Sequence, residues 1–147
     1  MVTVRIDGRE KQYGEGTTYE TIVKEYQPQY DNTIALVSSN GKIRELFKKV
    51  KKDCDVSFFT LRDSVGHKTY VRSAIMLLIK ALRDVAGADY LQKVKVEFAI
   101  GPGYYCSVKG DVELDDALLR RLNQRMRELV DADLPVVKKS YPMQEAM

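Results

Sequence analysis

The stretch from Asp7 to Ile22, "DGREKQYGEGTTYETI", decides the fold of the first part of the chain. The residues before it, "VTVRI", alternate between apolar and polar as a half-buried strand does, and Asp-Gly is a two-residue signal for a tight hairpin. Thr17 and Glu20 have the spacing of a capping box, and an apolar helix face follows them. The pattern therefore predicts a strand, a turn, a second strand and a helix.

The segments that follow complete a small sheet. "TIALVS" and "KIRELF" flank the turn pair Asn40-Gly41, and "CDVSFFT" has the aromatic and β-branched content of a strand. One helix packed across such a mixed sheet is a β-grasp, or ubiquitin-like, arrangement. We predict this domain for residues 1–62.

The remaining residues, 63–147, predict a second, α/β two-layer domain that is truncated at its C-terminal end. After the connector "RDSVGHK", a long apolar helix from about Thr69 to Val85 should be largely buried. "KVKVEF" and "GYYCSV" predict a strand pair, "ELDDALLRRLNQRMRELV" an amphipathic helix, and "PVVKKSY" a last strand. The fold class is accordingly α+β, and we expect the chain to be the N-terminal part of a longer protein.

Two resemblances follow from these segments. "DGREKQYGEGTTYETI" resembles the TGS family, a small β-grasp domain found on threonyl-tRNA synthetases and several other proteins. The order of long helix, "VEFAIGPGYYCSV", acidic-start helix and "PVVKKSYPMQEAM" resembles the second additional, or editing, domain of the same synthetases.

The editing chemistry of that family is missing here. The resemblance places a His-x-x-x-His pair at the start of the long helix, where this chain has Thr69 and Ser73. An imidazole can act as a base near neutral pH, whereas a hydroxyl group cannot. His67, the only histidine, is expected to have a loop or cap role. We therefore predict no catalytic site in residues 1–147.

The chain also resembles a second family, whose members lack the histidine pair. "VKVEFAIGPGYYC" and "TYVRS", with its Arg72, resemble the front of bacterial uridine kinase-like proteins. This resemblance implies a non-catalytic binding or regulatory module that contacts a C-terminal kinase domain, and ATP and Mg²⁺ would serve that kinase domain. No G-x-x-x-x-G-K-[ST] loop occurs between Met1 and Met147, so the segment itself implies no cofactor.

Two alternatives to the kinase interpretation stay open. The chain could be the tRNA-engaging N-terminal region of a threonyl-tRNA synthetase, or of a paralogue, that lacks the editing histidines. It could also be a free-standing interaction protein.

Three groups of residues are candidates for binding. A small ligand, a nucleoside or nucleotide, is expected in a cleft with polar residues at the site of the lost histidines: Thr69, Ser73, Glu97 and Tyr105. The densest basic run, formed by Lys48, Lys49, Lys51 and Lys52, is expected to be a solvated turn between strands. The functional alternative for this run is weak, non-specific RNA binding through phosphates. A second basic surface is formed by the later arginines: Arg120, Arg121, Arg125 and Arg127.

The composition excludes several classes of protein. A net charge of +3, divided evenly along the chain, does not by itself indicate nucleic-acid binding. Cys54 and Cys106 are far apart, which favours reduced thiols in the cytoplasm, and with one histidine they cannot form a zinc site. The longest apolar runs are too short for a membrane span.

Overall fold

The computed structural model describes residues 1–110 and 114–146. The chain divides into two compact units, Met1–Ala74 and Ile75–Met147, and each unit has its own hydrophobic core. The α+β class is confirmed, with one mixed five-stranded sheet and a second sheet of two strands. The domain boundary predicted after residue 62 stays a prediction.

The elements follow the predicted order except at the C-terminal end, where the predicted last strand does not form. In the first unit the strands are β1 (Val2–Ile6), β2 (Arg9–Tyr13), β3 (Ile34–Ser39), β4 (Lys42–Glu45) and β5 (Cys54–Thr60). The helical segments before the second sheet are α1 (Tyr19–Tyr26), a 3₁₀ turn (Gln27–Gln29), α2 (Ser64–Ala86) and α3 (Ala88–Leu91). The remaining elements are β6 (Val94–Ile100), β7 (Gly103–Val108), α4 (Asp116–Asp131) and α5 (Met143–Ala146).

The first sheet has the β-grasp topology. Its strand order is β2-β1-β5-β3-β4, with β1 and β5 parallel at the centre and the other pairs antiparallel. The core consists of inward residues of the strands and of α1, and its most buried large side chains are Val4, Ile6, Ile22, Ile34 and Val37.

Both predicted hairpin turns are present. Asp7 and Gly8 have φ values of 49° and 77°, and Asn40 and Gly41 have φ values of 48° and 75°. Two successive residues with positive φ make a type I′ turn, whose twist matches that of the flanking strands. Asn, Asp and Gly adopt this conformation more readily than other residues do, which is why these two pairs predicted the turns correctly.

The start of α1 differs by one residue from the predicted capping box. Thr18, not Thr17, is the N-cap, and its Oγ1 accepts a hydrogen bond from the backbone N–H of Thr21 at 3.3 Å. The Thr17 hydroxyl instead donates to the carbonyl of Gly14 at 2.8 Å. Two consecutive threonines can each take the cap position, and the preceding turn determines which one does.

The long helix begins earlier than predicted. α2 starts at Ser64, so the predicted connector "RDSVGHK" is mostly helical. The backbone N–H of His67 donates to the carbonyl of Asp63 at 2.8 Å, while the Asp63 carboxylate accepts from the N–H of Thr60 at 2.7 Å. This turn joins the end of β5 directly to the helix. Gly66, in the first turns of this helix, is buried against the end of β5.

The second unit has a smaller core between α2 and α4. Ala81 and Leu82 pack with three leucines of α4: Leu118, Leu122 and Leu129. The prediction that α2 is largely buried is wrong, because Met76 and Ile79 are 49% and 41% exposed.

Two further features of the second unit bear on the predictions. The "PVVKKSY" segment, predicted as a strand, forms no strand in the described structure. Within residues 1–110 and 114–146, no helix combines the length and apolar character required to cross a bilayer.

One ion-pair cluster connects the two helices of this core. The Asp84 carboxylate on α2 accepts hydrogen bonds from Lys80 and from two nitrogens of Arg125 on α4, at 3.0 and 2.9 Å. The bond from Lys80, with the guanidinium of Arg125, lowers the pKa of Asp84 below its ordinary value of 3.8.

This cluster should make the stability of the second unit depend on pH. Because the pKa of Asp84 is depressed in the folded state, its contribution is complete above the unfolded value of about 3.8 and is lost as pH falls through the folded value. We expect Asp84→Asn to lower the melting temperature at neutral pH, and the difference from wild type to shrink below about pH 3.8.

Thermal melts followed by circular dichroism between neutral and acidic pH measure this difference. Asp89→Asn, at an exposed residue of α3, is the control and should leave the melting temperature nearly unchanged at every pH. A difference between wild type and Asp84→Asn that stays constant down to the most acidic pH would show that the carboxylate charge is not the cause.

Candidate nucleic-acid interface

The first unit contains a concave surface that is rich in positive charge. We call it the basic basin; its volume is about 450 Å³ and its lining residues are Tyr19, Ser39, Asn40, Lys42, Arg44, Lys48, Lys49, Lys51 and Lys52. Six of these nine residues are cationic and no carboxylate is among them. An anion is therefore the ligand that this surface favours.

The loop after β4 supplies four of the cations and is anchored on its inner side. Val50 is 3% exposed in the core, and its N–H donates to the carbonyl of Thr17 at 2.8 Å. Leu46 packs against the same core. Because Leu46 and Val50 point inward, the lysines of the loop are directed to the solvent side of one fixed backbone.

The edge strand β4 supplies the other two cations. Lys42 pairs with Ser39 and Arg44 with Val37 across the β3–β4 ladder, so both cations lie on the same face of the sheet as those partners. The hydroxyl of Tyr19 donates to Oγ of Ser39 at 2.9 Å and links the start of α1 to that face. These contacts bring the strand cations and the loop cations to one surface.

Two nearby carboxylates have partners outside the basin. Oδ1 of Asp53 accepts a hydrogen bond from the N–H of Thr3 at 2.7 Å, and Asp55 is paired with Arg5 at 3.1 Å. In the part of the chain that the structure describes, none of the six basin cations forms an ion pair. Their charge is thus available to a ligand.

The helix terminus beside the basin contributes little to anion binding. The N–H groups of Tyr19 and Glu20 already donate to the carbonyls of Lys48 and Leu46, at 3.0 and 2.8 Å. The N–H of Thr21 is capped by Thr18. Side-chain charge, rather than a cradle of backbone amides, must then hold an anion, and binding of that kind depends strongly on salt.

The structure brings the four predicted lysines together and adds two cations that the prediction missed. Lys42 and Arg44 alternate with Ile43, and this period-two pattern on a predicted strand was the available signal. Their proximity to the lysine run depends on how the loop returns to α1, which the sequence pattern does not specify.

The first two residues of the predicted ligand cleft make contacts within their own helix. Oγ1 of Thr69 donates to the carbonyl of Val65 at 3.0 Å, and Oγ of Ser73 donates to the carbonyl of Thr69 at 3.1 Å. Each hydroxyl proton is therefore used inside α2. This arrangement suits a structural role for both side chains.

The other two residues of the predicted cleft lie on the β6–β7 hairpin. The Glu97 carboxylate accepts a hydrogen bond from Oγ of Ser107 at 2.7 Å, and Tyr105 stacks on Phe98 with ring centroids 5.3 Å apart. Thr69 and Ser73 belong to the first unit and this pair to the second. The cleft that would combine all four stays a prediction.

The second unit has a groove of its own, about 610 Å³ in volume. Its lining is mostly apolar: Ile75, Leu78, Ile79, Leu82, Leu91, Val94, Lys95, Val96, Glu97 and Tyr104. Tyr104, rather than the predicted Tyr105, is the aromatic residue in this lining. One lysine and one glutamate give the groove no net preference for an anion.

Among the four arginines of α4 that the sequence predicts as a second basic surface, Arg125 is engaged in ion pairs. Arg125 is held by Asp84 and by Glu128, whose Oε2 lies 3.1 Å from Nη1 of Arg125. Arg120, Arg121 and Arg127 are exposed.

A metal site would need several acidic, cysteine or histidine side chains close together. Within the described residues, no group of three such side chains converges.

Comparison with known proteins supports one of the alternatives. The chain is 28% identical over 144 residues to threonine–tRNA ligase 1 of Bacillus subtilis (strain 168), covering 95% of the chain and 21% of the relative. It is 22% identical over 148 residues to the threonine–tRNA ligase of Syntrophomonas wolfei, covering 100% and 23%. The Thermotoga petrophila ligase is 28% identical over 146 residues, covering 95% and 21%.

The similarity covers nearly the whole of this chain but only a small part of each relative. No protein-family model matches the chain. The chain spans about a fifth of the length of the curated relatives it matches. Along its length it is similar to threonine–tRNA ligases, which supports the threonyl-tRNA synthetase resemblance, whereas the uridine kinase-like parent receives no support from them.

Proposed function

We propose that this chain is a non-catalytic, tRNA-engaging region of the kind that the threonyl-tRNA synthetase resemblance implies. The similarity to threonine–tRNA ligases supports this proposal along 95–100% of the chain. The observation that carries it is the basic basin, whose six cations have no ion-pair partner among the described residues. Such a surface binds phosphate groups of a nucleic acid backbone.

The basin geometry defines the type of binding. Lysine ammonium groups on a solvent-facing loop act as point charges, and the contacts that such groups make with phosphates carry no sequence information. Binding is then weak and independent of sequence, with a dissociation constant of about 10⁻⁴–10⁻⁶ M at physiological salt. Discrimination of one tRNA from another would belong to other parts of the parent protein.

The kinase parent stays a prediction without support from the structure or from the relatives described above. The parent reading frame distinguishes the two interpretations. A G-x-x-x-x-G-K-[ST] loop would favour a kinase, and class II synthetase motifs would favour a ligase.

The proposal is tested by titrating fluorescently labelled tRNA with the chain at several salt concentrations. We expect the logarithm of the binding constant to fall linearly with the logarithm of salt, with a slope of about −2 to −5 if three to six phosphates are contacted. Bovine serum albumin, an acidic protein, is the negative control. No change in anisotropy up to about 10⁻⁴ M protein at about 50 mM salt would contradict the proposal.

A further inference from the structure

An exposed aromatic ring borders the basic basin. Phe47 is 53% exposed, although Leu46 before it packs against the core. The ammonium of Lys48, which lines the basin, lies 5.0 Å from the centroid of the Phe47 ring. An apolar stacking surface and a phosphate-binding cation are therefore adjacent.

The ring is exposed on an anchored loop rather than on a loose one. The carbonyls of Leu46 and Lys48, on either side of Phe47, accept hydrogen bonds from the N–H groups of Glu20 and Tyr19, at 2.8 and 3.0 Å. These bonds fix the backbone position of the ring in the free protein. A ligand that covers the ring gains the burial of apolar surface without first ordering the loop.

The chemistry of the two groups identifies the ligand. A nucleotide presents a phosphate to a cation and the face of its base to an aromatic ring, and base–aromatic stacking is tolerant of sequence. In an RNA duplex the base faces are covered by neighbouring base pairs, so a duplex can offer the basin its phosphates but cannot offer the ring a base. Only an unpaired nucleotide can engage both groups.

We infer that Phe47 is a stacking platform for an unpaired base, so that the basic basin takes single-stranded RNA in preference to continuous duplex. This inference rests on the proposed function. An acidic peptide could also pair with the cations, but its carboxylates would leave the exposed ring uncovered.

The test compares three substitutions in the full chain. Phe47→Ala removes the ring, and Phe47→Trp keeps an aromatic surface. Ile43→Ala is the matched control, because Ile43 is 52% exposed on β4 but lies on the strand face opposite that of Lys42 and Arg44. Each variant is first checked for an unchanged melting temperature. A labelled single-stranded RNA of about 12 nucleotides, its duplex and a poly-glutamate peptide are the probes.

A stacking role predicts a specific pattern. Phe47→Ala should weaken binding of the single strand about 5-fold or more, because a base–aromatic stack contributes about that much affinity. Phe47→Trp should restore it, and Ile43→Ala should leave it unchanged. The salt slope of Phe47→Ala should equal that of wild type, since no phosphate contact is lost.

Other results separate this inference from the proposed function. If duplex and single strand bind equally, or if Phe47→Ala binds the single strand as wild type does, the stacking role is wrong while the basin remains a phosphate site. If poly-glutamate binds as tightly as RNA, the basin is assigned to acidic partners and the inference is overturned. If wild type binds no RNA at about 50 mM salt, the proposed function fails first.

Discussion

Replacing Gly66 by alanine is expected to destabilise the first unit by about 1–3 kcal/mol, the usual cost of overpacking a closely packed site. A Cβ built on Gly66 would lie 1.9 Å from the carbonyl oxygen of Thr60 and 2.7 Å from its carbonyl carbon. Real Cβ atoms do not approach other atoms this closely. The gain in helix propensity from Gly to Ala, about 0.5–1 kcal/mol, offsets only part of the loss.

The carbonyl atoms of Thr60 cannot move away easily, because hydrogen bonds hold the backbone around them in place. Thr60 pairs with Ile34 across the β3–β5 ladder, and its N–H donates to the Asp63 carboxylate at 2.7 Å. The next N–H, of Leu61, donates to the carbonyl of Thr33 at 2.9 Å. Relief of the clash must then come from the first turn of α2, which would have to lift away from the end of β5.

Thermal unfolding followed by circular dichroism measures the effect. For a domain of 60–100 residues, each kcal/mol shifts the melting temperature by about 4–8 °C. Gly14→Ala is the matched control, because no heavy atom lies within 4 Å of its added Cβ and its φ is not positive. Equal melting temperatures for the Gly66 and Gly14 variants would contradict the close packing of α2 against β5.

The first unit could be predicted well because its signals are local. The pairs Asp7-Gly8 and Asn40-Gly41 fix two hairpins through backbone preferences that need no distant partner. Once both turns are set, the alternation of apolar residues determines which face of each strand is buried. The parallel pairing of β1 with β5 followed from the β-grasp arrangement, not from any short motif.

The second unit was predicted less completely because its features depend on contacts far apart in the sequence. "PVVKKSY" has the composition of a strand, but a strand requires a neighbouring strand, and the described structure assigns this segment to no sheet. The prediction that α2 is largely buried was wrong for a related reason. An apolar helix face predicts burial only where another element covers it, and α4 covers the turn around Ala81 and Leu82.

The candidate site was predicted in part. The run "KKVKK" identified four cations, and the solvated turn expected there describes their exposure but not their fixed arrangement. What the sequence could not show is the return of the loop to α1, where the N–H of Val50 meets the carbonyl of Thr17. That contact lies outside any periodic pattern, and it is what brings Lys42 and Arg44 into the same basin as the lysine run.

Neutralising the four loop lysines together is expected to lower RNA affinity at low salt by about 10²–10³-fold. The variant replaces Lys48, Lys49, Lys51 and Lys52 by glutamine. Each exposed cation close to a phosphate contributes about 1 kcal/mol, which is roughly a 5-fold change in affinity. The four lysines contact the same RNA strand, so their contributions add. The slope of the salt dependence should also become shallower by about 0.7–0.9 for every phosphate contact removed.

A parallel variant distinguishes a local site from general positive charge. Replacing Arg120, Arg121 and Arg127 of α4 by glutamine removes three exposed charges from the second unit and leaves the Arg125–Asp84 pair intact. Lys42 and Arg44 remain in the four-lysine variant, so residual binding with a shallow salt slope is expected there. If both variants lose affinity in proportion to the charge removed, net charge rather than the basic basin governs binding. The two variants differ in where the removed charge lies on the fold. If only the lysine variant loses affinity, the cause is therefore the arrangement of cations that the β4 edge and the anchored loop impose.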